Sequence, residues 1–326
     1  MTAEKIDVLL IGPKKPVIVS GLKPFNVLQL PDGKAREEFL SKSAPQVRGM
    51  AVAATSERID GRYMSRFPRL EIIASFGVGY DHVDAAWAGA HGITVTNTPD
   101  VLTEEVADTA LGLLLCTVRE FPQAERYLRS GKWLQRDYPL SKATLRDRTV
   151  GLIGMGRIGQ AIARRLDAMR VPVVYHSRRP ASGVSYRHYP VLIDMARDID
   201  VLLAIAPGGA QTKNMINAEV LAALGPDCVL VNMARGSLVD EPALIKALQN
   251  KTILSAGLDV YAREPHVPPE LVAMDNVVLF PHVGSGSVVT RARMDQLVVD
   301  NLVAWASGKP LLTPVAETPW PPKKNA

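Results

Sequence analysis

What the 326-residue chain lacks narrows its possible functions before any motif is read. It has two cysteines, Cys116 and Cys228, each inside an apolar run ("LGLLLCTV" and "PDCVLVN"). That excludes a disulfide framework and points to core thiols in a reducing compartment. No group of His, Cys, Asp and Glu has metal-ligand spacing, so no catalytic metal is expected. The net charge of +5 is scattered, without a tract of five or six Lys or Arg, which argues against a nucleic-acid-binding arm. Long apolar runs are also missing. The uncharged stretch Thr109–Val118 is far shorter than the roughly 20 residues needed to span a bilayer. Glu4, Lys5 and Asp7 place charge where a signal peptide would not. The expectation is a cytoplasmic protein with neither nucleic acid nor membrane as partner.

What is present is a regular alternation. Apolar, β-branched runs ("DVLLIG", "GMAVAA", "LEIIAS", "GITVTN", "TVGLIG", "VPVVYH", "DVLLAIA", "CVLVNM", "ILSAGLDV", "NVVLF") are separated by stretches of helical spacing or charge, such as "KAREEFLSK" and "DEPALIKALQN". Strands alternating with helices predict βαβ units and parallel sheets covered on both faces. With 47% hydrophobic residues, the chain is long enough for two domains. Two long helices are expected, from Thr103 to about Arg129 and from about Ser287 to Ser307, with Pro122 kinking or breaking the first. Read as segments crossing between domains, they give an α/β protein of two Rossmann-like domains. Residues 1–99 plus 288–326 would form a discontinuous substrate domain, and 100–287 the dinucleotide-binding domain. The Pro- and Lys-rich tail "ETPWPPKKNA" is expected to fray or pack loosely.

"TVGLIGMGRIGQAIARRL" contains Gly154-x-Gly156-x-x-Gly159 between an apolar strand and a helix with Ile158, Ile162 and Leu166 on one face. Three glycines alone are a weak signal, equally suited to a ligand-free turn. The strand–helix context makes them a pyrophosphate cradle: a tight turn at Gly154, backbone approach at Gly156, close packing at Gly159, with Arg157 and the first helical amides facing the phosphates. The following strand runs into "VVYHSRRP", where an acid binding the ribose hydroxyls of NAD would stand. No Asp or Glu occurs between Asp167 and Asp194. Ser177, Arg178 and Arg179 suit a 2′-phosphate instead, so the expected cofactor is NADP(H). A solvated arginine pair at a surface turn is the bland alternative.

Three later loops carry polar residues just after strand-like runs: "CVLVNMARGSLVDEPAL" with Arg235, "AGLDVYAREPHVPPE" with Asp259 and Glu264, and "NVVLFPHVGSGS" with His282. Singly, each reads as a surface arginine, a turn glutamate or a structural histidine. Following a nucleotide loop in this order, they form an acid–base and anion-binding set. His82, His91, His176, His188 and His266 are read as structural.

These stretches, with "ASFGVGYDHVD" and "NTPDVLTEEVADTALGLLL", resemble the D-isomer-specific 2-hydroxyacid dehydrogenase family from about residue 45 to 315. Within it they are similar to the NADP-dependent glyoxylate/hydroxypyruvate and hydroxyphenylpyruvate reductases. The resemblance implies NADPH-dependent reduction of small 2-keto acids to D-2-hydroxy acids. His282 would be the proton donor, held and kept protonated by Glu264, and Arg235 the carboxylate clamp and polariser of the ketone. Amides around Val78 and Gly79 would complete the carboxylate site. Asp259 would orient the nicotinamide carboxamide. Ala206 and Pro207 would flank the adenosine, with Thr212 nearby, and Ile158, Met233, His282 and Gly284 would join the cofactor contacts. Phe76, Tyr80, Trp133 and Tyr138 are candidate substrate walls, some contributed across a subunit contact in a homodimer. Domain closure would exclude water. Other dehydrogenases of the family, or a nucleotide-sensing, corepressor-like binding protein, remain alternatives; the triad does not exclude the latter.

Overall fold

Each of the ten apolar runs contains a strand, and among the described residues two strands lie outside them. The computed structural model describes residues 5–53 and 57–321. Ala54, at the end of the run "GMAVAA", lies outside them. The chain divides into two units, Met1–Leu102 with Ser287–Ala326, and Thr103–Gly286.

In the first unit, β1 (Asp7–Ile11), β2 (Asn26–Gln29), β3 (Gly49–Val52), β4 (Ile72–Ser75) and β5 (Thr94–Thr96) form a parallel sheet ordered β2-β1-β3-β4-β5. Leu9, Met50, Ile73 and Val95 meet in its core. Helix Val288–Ala306 belongs to this unit. The Ser287 side chain caps it by accepting from the Thr290 amide.

In the second unit, β6 (Val150–Ile153), β7 (Val173–His176), β8 (Arg187–Tyr189), β9 (Val201–Ala204), β10 (Val229–Asn232), β11 (Ser255–Leu258) and β12 (Val277–Leu279) form a parallel sheet ordered β12-β11-β10-β9-β6-β7-β8. The strands β6, β9, β10 and β11 are buried at every position, as expected of strands covered on both faces. The order reverses at β6, which lies between β9 and β7, and this opens a crevice at the strands' carboxyl ends.

Several expectations are corrected. The helix expected to reach Arg129 is two helices, Thr103–Arg119 and Phe121–Arg129. The break falls at Glu120, in the left-handed region at φ 55°, so that Pro122 sits in the first turn of the second helix, where its missing N–H costs nothing. The two unforeseen strands, β2 and β8, are both at sheet edges and partly exposed, so they lack the apolar signature of the others. Cys228 is buried, whereas Cys116 is half-exposed on helix Thr103–Arg119. The start of the tail is well packed: Thr318 is buried and its hydroxyl bonds both the N–H and the C=O of Val95. Residues 322–326 of that tail lie outside the described residues. Among the described residues, no helix is long and apolar enough to cross a membrane, and no group of His, Cys, Asp or Glu is arranged to hold a metal ion.

Candidate active site

β6 ends in the glycine loop, and helix Arg157–Ala168 follows it. Gly154 has φ +102° and donates its N–H to the His176 carbonyl at 2.9 Å, so the turn needs a residue without Cβ. A Cβ on Gly159 would overlap the Gly154 carbonyl oxygen, which fixes how closely the helix can approach the strand. Gly156 caps the helix and has nothing within 4 Å of where its Cβ would stand. A contact-free backbone at the N-terminus of a helix, the positive end of its dipole, fits a diphosphate. Ile158 is half-buried, while Ile162 and Leu166 are fully buried on the same helix, and Arg157 is exposed at its first position.

The turn after β7 presents Arg178 and Arg179 to solvent. Arg178 Nη1 donates to Gln211 Oε1 at 2.8 Å, a neutral acceptor that orients the guanidinium without cancelling its charge. Gln211 went unnoticed in the sequence because its loop, after β9, is remote in the chain. The Ser177 hydroxyl, expected at a 2′-phosphate, donates to the Arg179 carbonyl at 2.6 Å and closes the turn. Ala206 and Pro207 follow β9, and the Thr212 hydroxyl donates back to Pro207 O at 2.9 Å, shaping that loop.

Arg235, Glu264 and His282 stand after the carboxyl ends of β10, β11 and β12. His282 Nδ1 donates to Glu264 Oε2 at 2.6 Å. The other carboxylate oxygen, Oε1, accepts the Tyr261 amide at 3.1 Å, so the glutamate is fixed from two sides. Burial raises the Glu264 carboxyl, but His282, the Tyr261 amide and the Arg235 charge outweigh it and hold the group below the usual carboxylate range. Glu264 therefore stays ionised to lower pH than an ordinary glutamate, and its hold on His282 is lost only as pH falls through that lowered value. With Nδ1 committed, Nε2 is the ring atom left to carry a proton towards a reactant, and the side chain is 47% exposed.

His282 has φ 53°, an uncommon conformation for a non-glycine residue. Asp259 holds it there. The Asp259 carbonyl accepts the His282 amide at 2.9 Å, and its carboxylate oxygens accept the Val283 and Gly284 amides at 2.7 and 2.8 Å. Asp259 is 1% exposed, and burial raises its carboxyl against those two amides and the His282 charge. Expected to meet the cofactor, it also organises the histidine loop. Gly284 packs so near that a Cβ would stand 3.1 Å from Asp259 Oδ2 and 3.2 Å from the Met233 methyl.

Arg235 is half-buried, and its Nη1 donates to Ala234 O at 2.8 Å. Asn232, buried at the end of β10, clamps this turn: its Nδ2 donates to Arg235 O at 3.0 Å and its Oδ1 accepts the Ala234 amide at 3.1 Å. A buried asparagine closing an otherwise apolar strand is a signal that the sequence reading passed over.

In the first unit, Val78 and Gly79 follow β4. Asn97 Nδ2 donates to Val78 O at 2.9 Å, which fixes that peptide plane and so the direction of the Gly79 N–H. Of the candidate wall residues, Phe76 is buried with the Lys15 ammonium 3.0 Å from its ring centroid, and the Tyr80 hydroxyl donates to Glu317 at 3.0 Å. Trp133 is exposed, and Tyr138 packs edge-on to Tyr127 with centroids 5.2 Å apart.

Comparison with known proteins matches residues 111–284 to the family described as D-isomer specific 2-hydroxyacid dehydrogenase, NAD binding domain. The chain is 44% identical to a glyoxylate/hydroxypyruvate reductase A of Arabidopsis thaliana over 313 residues, 96% of this chain and 99% of that protein. It is 42% identical to a hydroxyphenylpyruvate reductase of Plectranthus scutellarioides with the same coverage. Among solved structures, an NADPH-dependent glyoxylate/hydroxypyruvate reductase of Sinorhizobium meliloti, in complex with NADP and malonate, superimposes with a TM-score of 0.91. That pair shares 50% identity, covering 99% of this chain and 100% of the other.

Proposed function

Since the chain belongs to the D-isomer-specific 2-hydroxyacid dehydrogenase family, we propose that it reduces small 2-keto acids such as glyoxylate and hydroxypyruvate to D-2-hydroxy acids, with NADPH as the reductant. The observation that carries this reading is the 2.6 Å hydrogen bond from His282 Nδ1 to an ionised Glu264, made in the same unit as Arg235 and the glycine loop. In this reading Thr103–Gly286 is the dinucleotide-binding unit and the other is the substrate unit.

Gly154, Gly156, Arg157 and Gly159 would hold the diphosphate, with Ile158, Ala206, Pro207, Thr212, Met233, Asp259 and Gly284 around the rest of the cofactor. When bound, NADPH supplies the hydride that goes to the keto carbon. His282 holds a proton at Nε2 and delivers it to the ketone oxygen, while Glu264 balances the imidazolium charge until that transfer. Arg235 binds the carboxylate through its planar fork and draws charge towards the oxygen. Because Glu264 and Asp259 orient His282 beforehand, little reorganisation remains for the reaction itself.

A panel of keto acids assayed with NADPH and with NADH tests this reading. Turnover should be highest with small keto acids and NADPH. A preference for aryl-pyruvates would move the substrate assignment, and no turnover with any keto acid would favour a binding protein.

Arg178→Ala should weaken NADPH alone. A charge-assisted contact is worth roughly 1.5–3 kcal/mol, so KM for NADPH should rise by about tenfold to a hundredfold. KM for NADH should stay within about twofold, because NADH has no phosphate for that guanidinium. An equal effect on both cofactors would remove Arg178 from the phosphate site.

The reading includes a cytoplasmic homodimer. Leu134 and Leu140 are 93% and 94% exposed in this chain, close in sequence to exposed Phe121, Leu128 and Trp133. Exposed apolar side chains of this kind would be covered by a second copy. A monomeric mass by light scattering at working concentration would refute it.

A further inference from the structure

The arginine turn is tied down at both ends by side chains of β7 and β8. β7 and β8 pair in parallel, with Tyr175 opposite His188 and His176 opposite Tyr189. At the start of the turn, His188 Nε2 lies 2.9 Å from the Ser177 carbonyl oxygen. A carbonyl only accepts, so Nε2 carries the hydrogen. At the far end, the Ala181 amide donates to the Tyr175 hydroxyl at 3.0 Å. Tyr175 is buried, and its ring packs against that of His188 with centroids 5.1 Å apart. His176 Nδ1 bonds Tyr189 O at 2.9 Å and locks the edge strand that carries His188 to its neighbour. Between the two anchors, Ser177 Oγ spans to Arg179 O. Arg178 and Arg179 thus project from a five-residue backbone whose first carbonyl and last amide are both held by side chains.

We infer that His188 and Tyr175 are positioning residues for cofactor selectivity: they hold the turn at 177–181 so that both guanidiniums meet a 2′-phosphate without first ordering the backbone. This rests on the reading of the cofactor as NADPH. A free turn would lose backbone freedom on binding, and that cost would fall on NADPH, whose extra phosphate the turn addresses. NADH makes no such demand. The two anchors should therefore act on selectivity, leaving hydride transfer unchanged. Nothing local in the sequence marks His188, because β8, the strand that presents it, has no apolar signature.

The test uses His188→Leu, His188→Gln and Tyr175→Phe in the full-length protein. Dissociation constants are measured for NADPH, NADH and adenosine 2′,5′-bisphosphate, with kcat at saturating cofactor. His188→Leu and Tyr175→Phe should each weaken NADPH and the bisphosphate by about five- to tenfold, as expected for one lost hydrogen bond. NADH affinity and kcat should stay within about twofold, since neither depends on the turn. His188→Gln, which places an amide nitrogen near the position of Nε2, should recover most of the loss. Equal weakening of NADPH and NADH, or no weakening of either, would overturn the inference. If the unaltered protein itself binds both cofactors alike, the NADPH reading fails and takes this inference with it. If it prefers NADPH and His188→Leu keeps that preference, the inference fails alone.

Discussion

Replacing His282 with asparagine should lower kcat for keto-acid reduction by about a thousandfold, within the range of roughly 10²–10⁴ that a positioned proton donor contributes. NADPH affinity should change by no more than about twofold, because the glycine loop and the arginine turn lie on other strands. Asparagine is the appropriate replacement for two reasons. Position 282 sits at φ 53°, and asparagine is among the few residues that accept this region readily. Its side-chain amide can also donate to Glu264, so the carboxylate keeps a partner; what is lost is a proton that can be transferred. Pre-steady-state reduction separates chemistry from product release, and intrinsic fluorescence follows cofactor binding. Weakened NADPH binding with an unchanged chemical step would remove His282 from the proton-donor role.

Arg235→Ala should have an effect of comparable size with a different signature. A bidentate guanidinium–carboxylate contact comprises two charge-assisted hydrogen bonds, so its loss should reduce kcat/KM by about 10²–10⁴-fold. KM for the keto acid should rise, since the carboxylate is bound in the ground state, and kcat should fall to the extent that Arg235 also polarises the ketone. Arg235→Lys should recover only part of this, because an ammonium restores the charge without the fork. Added guanidinium ion should restore some activity to Arg235→Ala and none to His282→Asn. Asn232 holds the main chain of this turn through Arg235 O and the Ala234 amide, so the alanine variant should keep the loop and lose only the cation. An unchanged KM and kcat would mean that the carboxylate is bound elsewhere.

The parts of this molecule that were legible in the sequence are those whose signal is local. The glycine loop announces itself because strand, turn and helix follow one another within "TVGLIGMGRIGQAIARRL". Arg235, Glu264 and His282 could be picked out because each follows an apolar run and because long motifs surround them. The parts that were missed depend on groups brought together from distant stretches. Gln211 reaches Arg178 from 33 residues away, and His188 reaches Ser177 only because β8 joins the edge of the sheet. Asp259 was expected to face a ligand, and nothing in its sequence says that it also takes two amides from the loop of His282. The Ser177 hydroxyl bond to Arg179 O, which closes the turn, is likewise invisible in the sequence. At Pro122 the sequence named the right residue, but the helix ends before it, at Glu120.

The packing of the C-terminal stretch has a consequence for aggregation. β5 is the last strand of the first unit's sheet, with β4 on one side only. Its other side is covered by the returning chain: Val315 N donates to Val95 O at 2.9 Å, Thr96 bridges to Pro314, and the Thr318 hydroxyl takes the Val95 amide at 2.8 Å. An open edge strand is a template for pairing with another chain. Residues 313–318 therefore act as a plug, denying that edge to other molecules, and a chain shortened ahead of Thr313 would expose a sticky ladder of amides and carbonyls. Affinity tags are therefore better kept clear of residues 313–318 than substituted for them.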